Sequence, residues 1–130
     1  MAALRCLIVD DNSGFLQAAR ALLEREGLQI VGVASTGAEA LRCAAELHPD
    51  VTLVDVDLGG ESGFELARRL VDEHSLDPGH LILISAHAED DLADLIEASP
   101  AIGFLGKPAV SAEAIERLLS RAGGGLDRLR

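Results

Sequence analysis

The sequence predicts an α/β protein: a five-stranded parallel sheet with helices on both faces. Three observations predict it. Short runs rich in Val, Ile and Leu recur five times, amphipathic stretches of helical length separate them, and capping residues stand where those stretches begin. Right-handed crossovers then lay each helix over the sheet, so the inner strands read as apolar throughout. With 130 residues the chain can build one sizeable core but not two.

The elements follow in order. Cys6 to Val9 is the first strand, ending on Asp10-Asp11. A helix is expected over 13–26, with Asn12 or Ser13 as its cap and Gly27 as its stop. Along it Phe15, Ala18, Ala19, Leu22 and Leu23 recur at helical spacing, as for one face packed on the sheet. Leu28 to Ala34 is the second strand, and Thr36-x-x-Glu39 has capping-box spacing at the head of a helix over 37–47. Val51 to Val54 is the third, and Ser62-x-x-Glu65 opens a helix over 63–74. The strands Leu81 to Ile84 and Ile102 to Leu105 precede helices over 90–99 and 111–122. Three glycines, Gly123 to Gly125, are expected to release the chain, giving a domain over 1–122 and a Gly-rich tail or linker start over 123–130.

Composition narrows the function. Twenty-two acidic against eleven basic residues give a net charge of −11, which disfavours direct contact with nucleic acid because phosphate binding needs a basic footprint. Aromatic residues make up only 2% of the chain, so the core must be aliphatic. Cys6 and Cys43 lie in apolar contexts without metal-type spacing or a preceding secretory signal, as for reduced core thiols, and this favours the cytoplasm. No apolar run approaches membrane-spanning length. His48, His74 and His80 show no metal spacing and belong to surfaces or loops.

In a parallel sheet the ligand site lies beyond the carboxyl ends of the strands, so the residues just after each strand carry the chemistry. Those are Asp10 and Asp11 after the first, Asp55 after the third, Ser85 after the fourth and Lys107-Pro108 after the fifth. Crowded carboxylates raise one another's proton affinity unless a cation neutralises them, and a hard divalent ion such as Mg2+ accepts oxygen ligands of this kind. Beside such an ion Asp55 has the chemistry of a nucleophile towards phosphorus, and Lys107 and Ser85 that of groups holding phosphoryl oxygens.

Asp10-Asp11, "LVDVDLGGESG" around Asp55, Ser85-Ala86, and Phe104 three residues before Lys107-Pro108 together resemble the receiver domain of two-component response regulators, over residues about 4 to 122. The resemblance implies a flavodoxin-like (βα)5 fold with strand order 2-1-3-4-5. It implies that Asp55 accepts a phosphoryl group from a histidine kinase or phosphotransfer protein. Mg2+, or Mn2+ in its place, would be held by Asp11, Asp55 and the backbone carbonyl of Asp57, with Asp10 acting through water. Ser85 and Phe104 would be the switch residues, Lys107 would pair with the phosphoryl group, and the Lys107-Pro108 bond would be cis. Asp57 and His87 would tune the lifetime of the phosphoryl group, Asp57 by adding negative charge beside it. Gly59 replaces the proline usual in the loop after the acceptor, implying a looser loop; Gly63 is the expected loop glycine; Phe104 stands where tyrosine is common.

The same resemblance implies kinase docking on the first helix beside Phe15. The fourth helix, fifth strand and fifth helix would face a downstream protein, an effector domain or a second copy. Neither nucleic acid nor membrane would be a direct partner of this domain. Two other functions share these residues. Haloacid dehalogenase-like phosphatases also form an aspartyl phosphate, but there the acidic pair follows the nucleophile late in the chain, whereas here Asp10-Asp11 come first. A receiver-like interaction module that is never phosphorylated is the other.

Overall fold

The structure, a computed structural model, describes residues 3–74 and 76–128, with side chains through Arg121. Its strands are β1 (Arg5–Val9), β2 (Gln29–Ala34), β3 (Val51–Asp55), β4 (Leu81–Ser85) and β5 (Gly103–Gly106). They form one parallel sheet in the order β2-β1-β3-β4-β5. The helices are α1 (Ser13–Arg25), α2 (Gly37–Leu47), α3 (Gly63–His74), α4 (Ala93–Ala98) and α5 (Ala112–Arg128).

Strand alternation divides the core in two. Cys6, Ile8, Val51, Leu53, Ile82 and Ile84 face α1 and α5, where Leu16, Leu23, Ile115 and Leu118 cover them. Leu7, Val9, Val54, Leu81 and Leu83 face the other way, against Ala40, Ala44, Leu66 and Leu70 of α2 and α3. Every residue of β3 and β4 is buried, which is why both runs are apolar, Thr52 apart, until they reach Asp55 and Ser85. Among the described residues no aromatic side chain belongs to the buried core.

The caps behave as their chemistry requires. Asn12 Oδ1 accepts from the Phe15 N–H at 3.0 Å, and Thr36 Oγ1 from the Glu39 N–H at 3.1 Å. Glu39 returns its carboxylate to the N–H of Ser35 rather than of Thr36. Past α1 the Leu28 N–H reaches Leu23 O and the Gly27 N–H reaches Glu24 O, with Gly27 at φ 100°, a Schellman ending. Glu26 at that ending caps a different helix: its Oε1 accepts from the Ala112 N–H at 2.8 Å and ties α1 to the start of α5. Glu26→Ala should therefore cost about 1 kcal/mol in denaturant unfolding, the usual worth of a cap; an unchanged midpoint would contradict it.

Four expectations need correcting. On α1 the buried row is Leu16, Ala19 and Leu23, while Phe15 and Leu22 are half-buried and Ala18 is exposed. Two neighbouring rows are apolar at helical spacing, and only packing chooses between them. The helix expected over 90–99 begins as a 3-10 turn, Glu89–Leu92, and is α-helical only over Ala93–Ala98; no side chain caps either start. α5 does not end before the glycines but runs through Gly123–Gly125 to Arg128. Glycine weakens a helix by about 1 kcal/mol per residue without forbidding its backbone, and no proline intervenes; residues 129 and 130 of the expected tail lie outside the described residues. Finally, Cys6 is buried but Cys43 is only half-buried. Burial pushes the Cys6 thiol up to about 12 and raises Cys43 as well.

Candidate functional site

β1 sits between β2 and β3, so the chain leaves β1 towards one side of the sheet and later crosses to the other. The loops after β1 and β3 consequently part and leave a crevice at the carboxyl edge. A cavity of about 400 Å³ lies there, lined by Asp11, Asn12, Asp55, Asp57, Ser85, Ala86, His87 and Lys107. Asp10, fully buried, lies beside these residues.

Each side chain is fixed by its backbone. Asp10 N–H continues the sheet by donating to Ala34 O, and its Oδ1 accepts from the Asn12 N–H at 2.9 Å. Asp55, 4% exposed, accepts on Oδ1 from the Asp57 N–H at 3.2 Å. Lys107 Nζ lies 2.7 Å from Asp10 Oδ2 and 3.1 Å from Asp55 Oδ2, so one ammonium bridges both buried carboxylates. Burial pushes the Asp55 carboxyl up to about 6, against the pull of the Asp57 N–H; the Asp10 charge adds to the rise and Lys107 opposes it. For Lys107, burial works against the charge, but hydrogen bonds to Asp10 and Asp55 outweigh it and hold the ammonium above its ordinary value. Ser85, 1% exposed, accepts on Oγ from the His87 N–H at 2.9 Å, which leaves its O–H free to donate into the cavity.

Asp10, Asp11, Asp55, Ser85 and Lys107 thus meet at one edge, with Asp57 and His87 exposed on its rim. Phe104 is half-buried and packs on the α2, α3 and α4 side of the core, away from the carboxylates. The expected cis bond at Pro108 is corrected: no peptide bond among the described residues is cis. Pro108 instead takes part in a 3-10 turn over Lys107–Ala109, where proline's fixed φ suits the first turn and the trans isomer is the lower in energy. Sequence reasoning missed one partner: the Phe15 ring, one turn into α1, lies 4.7 Å from Lys107 Nζ in a cation–π contact. Phe15, Ala18, Leu22, Pro108 and Val110 also line an apolar groove next to the site.

The donor set fits a hard divalent cation. Asp10, Asp11 and Asp55 each offer a carboxylate oxygen, all within 4.8 Å of one another. Oxygen-only ligands of high negative charge suit Mg2+ or Mn2+ and exclude softer ions that select thiolate or imidazole.

Comparison with known proteins places this arrangement. The family model of the response regulator receiver domain matches residues 6–119. The transcriptional regulatory protein LiaR of Bacillus subtilis is 33% identical over 122 residues, 93% of this chain and 57% of LiaR, so the chain spans little more than half of that relative. A two-component response regulator of the LuxR family from Aurantimonas has a similar fold, with a TM-score of 0.79 and 27% identity over 92% of this chain and 86% of that one. So has a response regulator protein from Burkholderia pseudomallei, solved with a phosphorylated aspartic acid, a calcium ion and citrate: TM-score 0.75, 26% identity, 96% of this chain and 72% of that one. With the strand order, the edge carboxylates and a family match over nearly its whole length, the chain belongs to the receiver domains of two-component response regulators.

Proposed function

We propose that this domain, residues 1–122, accepts a phosphoryl group on Asp55 from a phosphohistidine of a histidine kinase or phosphotransfer protein. The observation that carries the reading is the bridge itself: a buried Asp55 carboxylate, opening on a cavity, with the Lys107 ammonium at 3.1 Å and two further aspartates beside it. In the transfer an Asp55 carboxylate oxygen bonds to phosphorus as the phosphorus–nitrogen bond breaks. The bonding pair returns to the donor imidazole, which takes a proton, and Asp55 becomes an acyl phosphate. Lys107 offsets the charge on the phosphoryl oxygens, and the free Ser85 hydroxyl proton donates to one of them. Receiver domains bind Mg2+ at an aspartate cluster of this kind. Here Asp11, Asp55 and the Asp57 carbonyl would hold it, with Asp10 acting through water. When bound it neutralises charge on the phosphoryl oxygens.

Asp57 and His87 stand at the rim, where a water must pass to release the phosphate, which supports a role in setting the lifetime of the acyl phosphate. The Asp57 carboxylate accepts from the Gly59 N–H at 3.2 Å, and this bond holds its charge at the mouth of the site. Ser85 ends β4 opposite Gly106 of β5, and Phe104, two residues earlier on β5, stands opposite Leu83, so a move of the Ser85 hydroxyl would be felt along the β4–β5 pair. That face would meet the downstream target or effector domain, or a second copy, and the groove beside Phe15 would take the kinase.

Incubation with Mg2+ and a small acyl or amido phosphate, followed by intact mass and site mapping, tests the assignment. One phosphoryl adduct on Asp55 is expected, absent with a chelator and absent in Asp55→Asn. A folded protein that gains no Mg2+-dependent adduct would instead be an interaction module that is not phosphorylated.

A further inference from the structure

We propose that Gly59 is a positioning residue for Asp11: bare backbone at this point leaves the room in which the Asp11 carboxylate joins the aspartate cluster. The inference rests on the metal-binding reading of that cluster. A Cβ at residue 59 would lie 2.6 Å from Asp11 Oδ2, well inside contact distance, and 3.5 Å from its Cγ. Gly59 is also in the left-handed region, at φ 63°, a conformation proline cannot adopt. The loop is therefore built around glycine in a way that proline would not allow.

Something must yield if a side chain is added, and the structure indicates what. The loop is held independently of Asp11: the Gly59 N–H bonds Asp57 Oδ1, and the Leu58 N–H bonds Glu61 O at 3.0 Å. Glu61 Oε1 in turn accepts from the Gly37 N–H at 3.0 Å, fastening the far end of the loop to the start of α2. Asp11 is exposed, and the atom that clashes is the free end of its side chain. A Cβ at 59 turns Asp11 out of the cluster before it lifts the loop.

The neighbouring glycine supplies the control. Gly60 is also left-handed, at φ 108°, but a Cβ there would meet nothing within 4 Å. Gly59→Ala and Gly60→Ala both strain the backbone, and only the first touches Asp11. Calorimetric titration of Mg2+ into the wild type and both variants, with urea unfolding in chelator alongside, separates the two effects. Both variants should lose stability in chelator. Gly59→Ala should bind Mg2+ roughly tenfold or more weakly, the usual cost of displacing a metal ligand through its neighbour, while Gly60→Ala keeps the wild-type affinity. Gly59→Asn, which accepts left-handed backbone more readily but carries the same Cβ, should show the same weakening and covers the case in which Gly59→Ala does not fold. Equal affinity in wild type and both Gly59 variants, or equal weakening at 59 and 60, overturns the proposal. A wild type that takes up no Mg2+ overturns the reading of the cluster itself, a result distinct from either.

Discussion

Gly63→Ala should destabilise the fold by about 3 kcal/mol or more. A Cβ at this position would lie 1.9 Å from Asp55 O, and 2.7 Å from both Asp55 C and Val56 Cα. All three are backbone atoms at the end of a central strand, so no rotamer change relieves the overlap. Gly63 begins α3, and its N–H donates to Val56 O at 2.8 Å, which brings the helix this close to the strand. To admit a methyl group the start of α3 must lift from β3, opening the packing of Leu66, Ala67 and Leu70. Overpacking of a rigid core costs about 1–3 kcal/mol, and a clash with backbone on every side belongs at or above the top of that range. Since a domain of this size has roughly 5–15 kcal/mol in all, urea unfolding should show a large fall in midpoint. A variant within about 1 kcal/mol of wild type would show that the helix can retreat freely. Any fraction that stays folded should also accept phosphoryl groups poorly, because the displaced backbone carries Asp55.

The second large effect is expected from Lys107→Met, which keeps much of the stem but removes the cation. Asp10 is fully buried and Asp55 nearly so, and Lys107 is the ammonium within 3.1 Å of both. Removing one partner of a buried ion pair typically costs about 3–5 kcal/mol, because the other is left charged and unpaired. The loss should depend on pH, with a sign that follows from Asp55. Its folded-state carboxyl, pushed up to about 6 from an ordinary value of 3.8, holds a proton to higher pH than the unfolded chain does. The folded state is therefore favoured below about pH 4, and that advantage declines as pH rises through about 6. In Lys107→Met the cation opposing this rise is gone, so the decline should extend to higher pH and be larger in total. Denaturant unfolding in chelator at pH 5 and pH 8 checks it: the deficit against wild type should be larger at pH 8, and millimolar Mg2+ should recover part of it there by binding only the folded state. A deficit that is the same at both pH values would mean that Lys107 acts through packing rather than charge.

Much of the site was legible because its residues stand immediately after strands, where the geometry of a parallel sheet leaves little choice of position. Asp10-Asp11, Asp55, Ser85 and Lys107 could be placed at one edge from the period of the apolar runs alone. The Phe15 ring over Lys107 was not legible in the same way. Phe15 lies in one of two adjacent apolar rows on α1, and the sequence pattern is equally content with either facing the sheet. The structure turns Leu16, Ala19 and Leu23 inward and frees Phe15 to meet the ammonium. Glu26 and Glu61 are similar cases: surface-type glutamates by sequence, they cap helices 86 and 24 residues away in the chain.

Local chemistry determined the elements, their order and the set of groups at the edge, because hydrophobic period and capping act over a few residues. Tertiary structure alone decided the single ammonium shared by two buried aspartates and the left-handed Gly59 set against Asp11. Each of these depends on how closely separate loops approach one another. That approach is set by the packing of the whole sheet and its helices, which no short stretch of sequence contains.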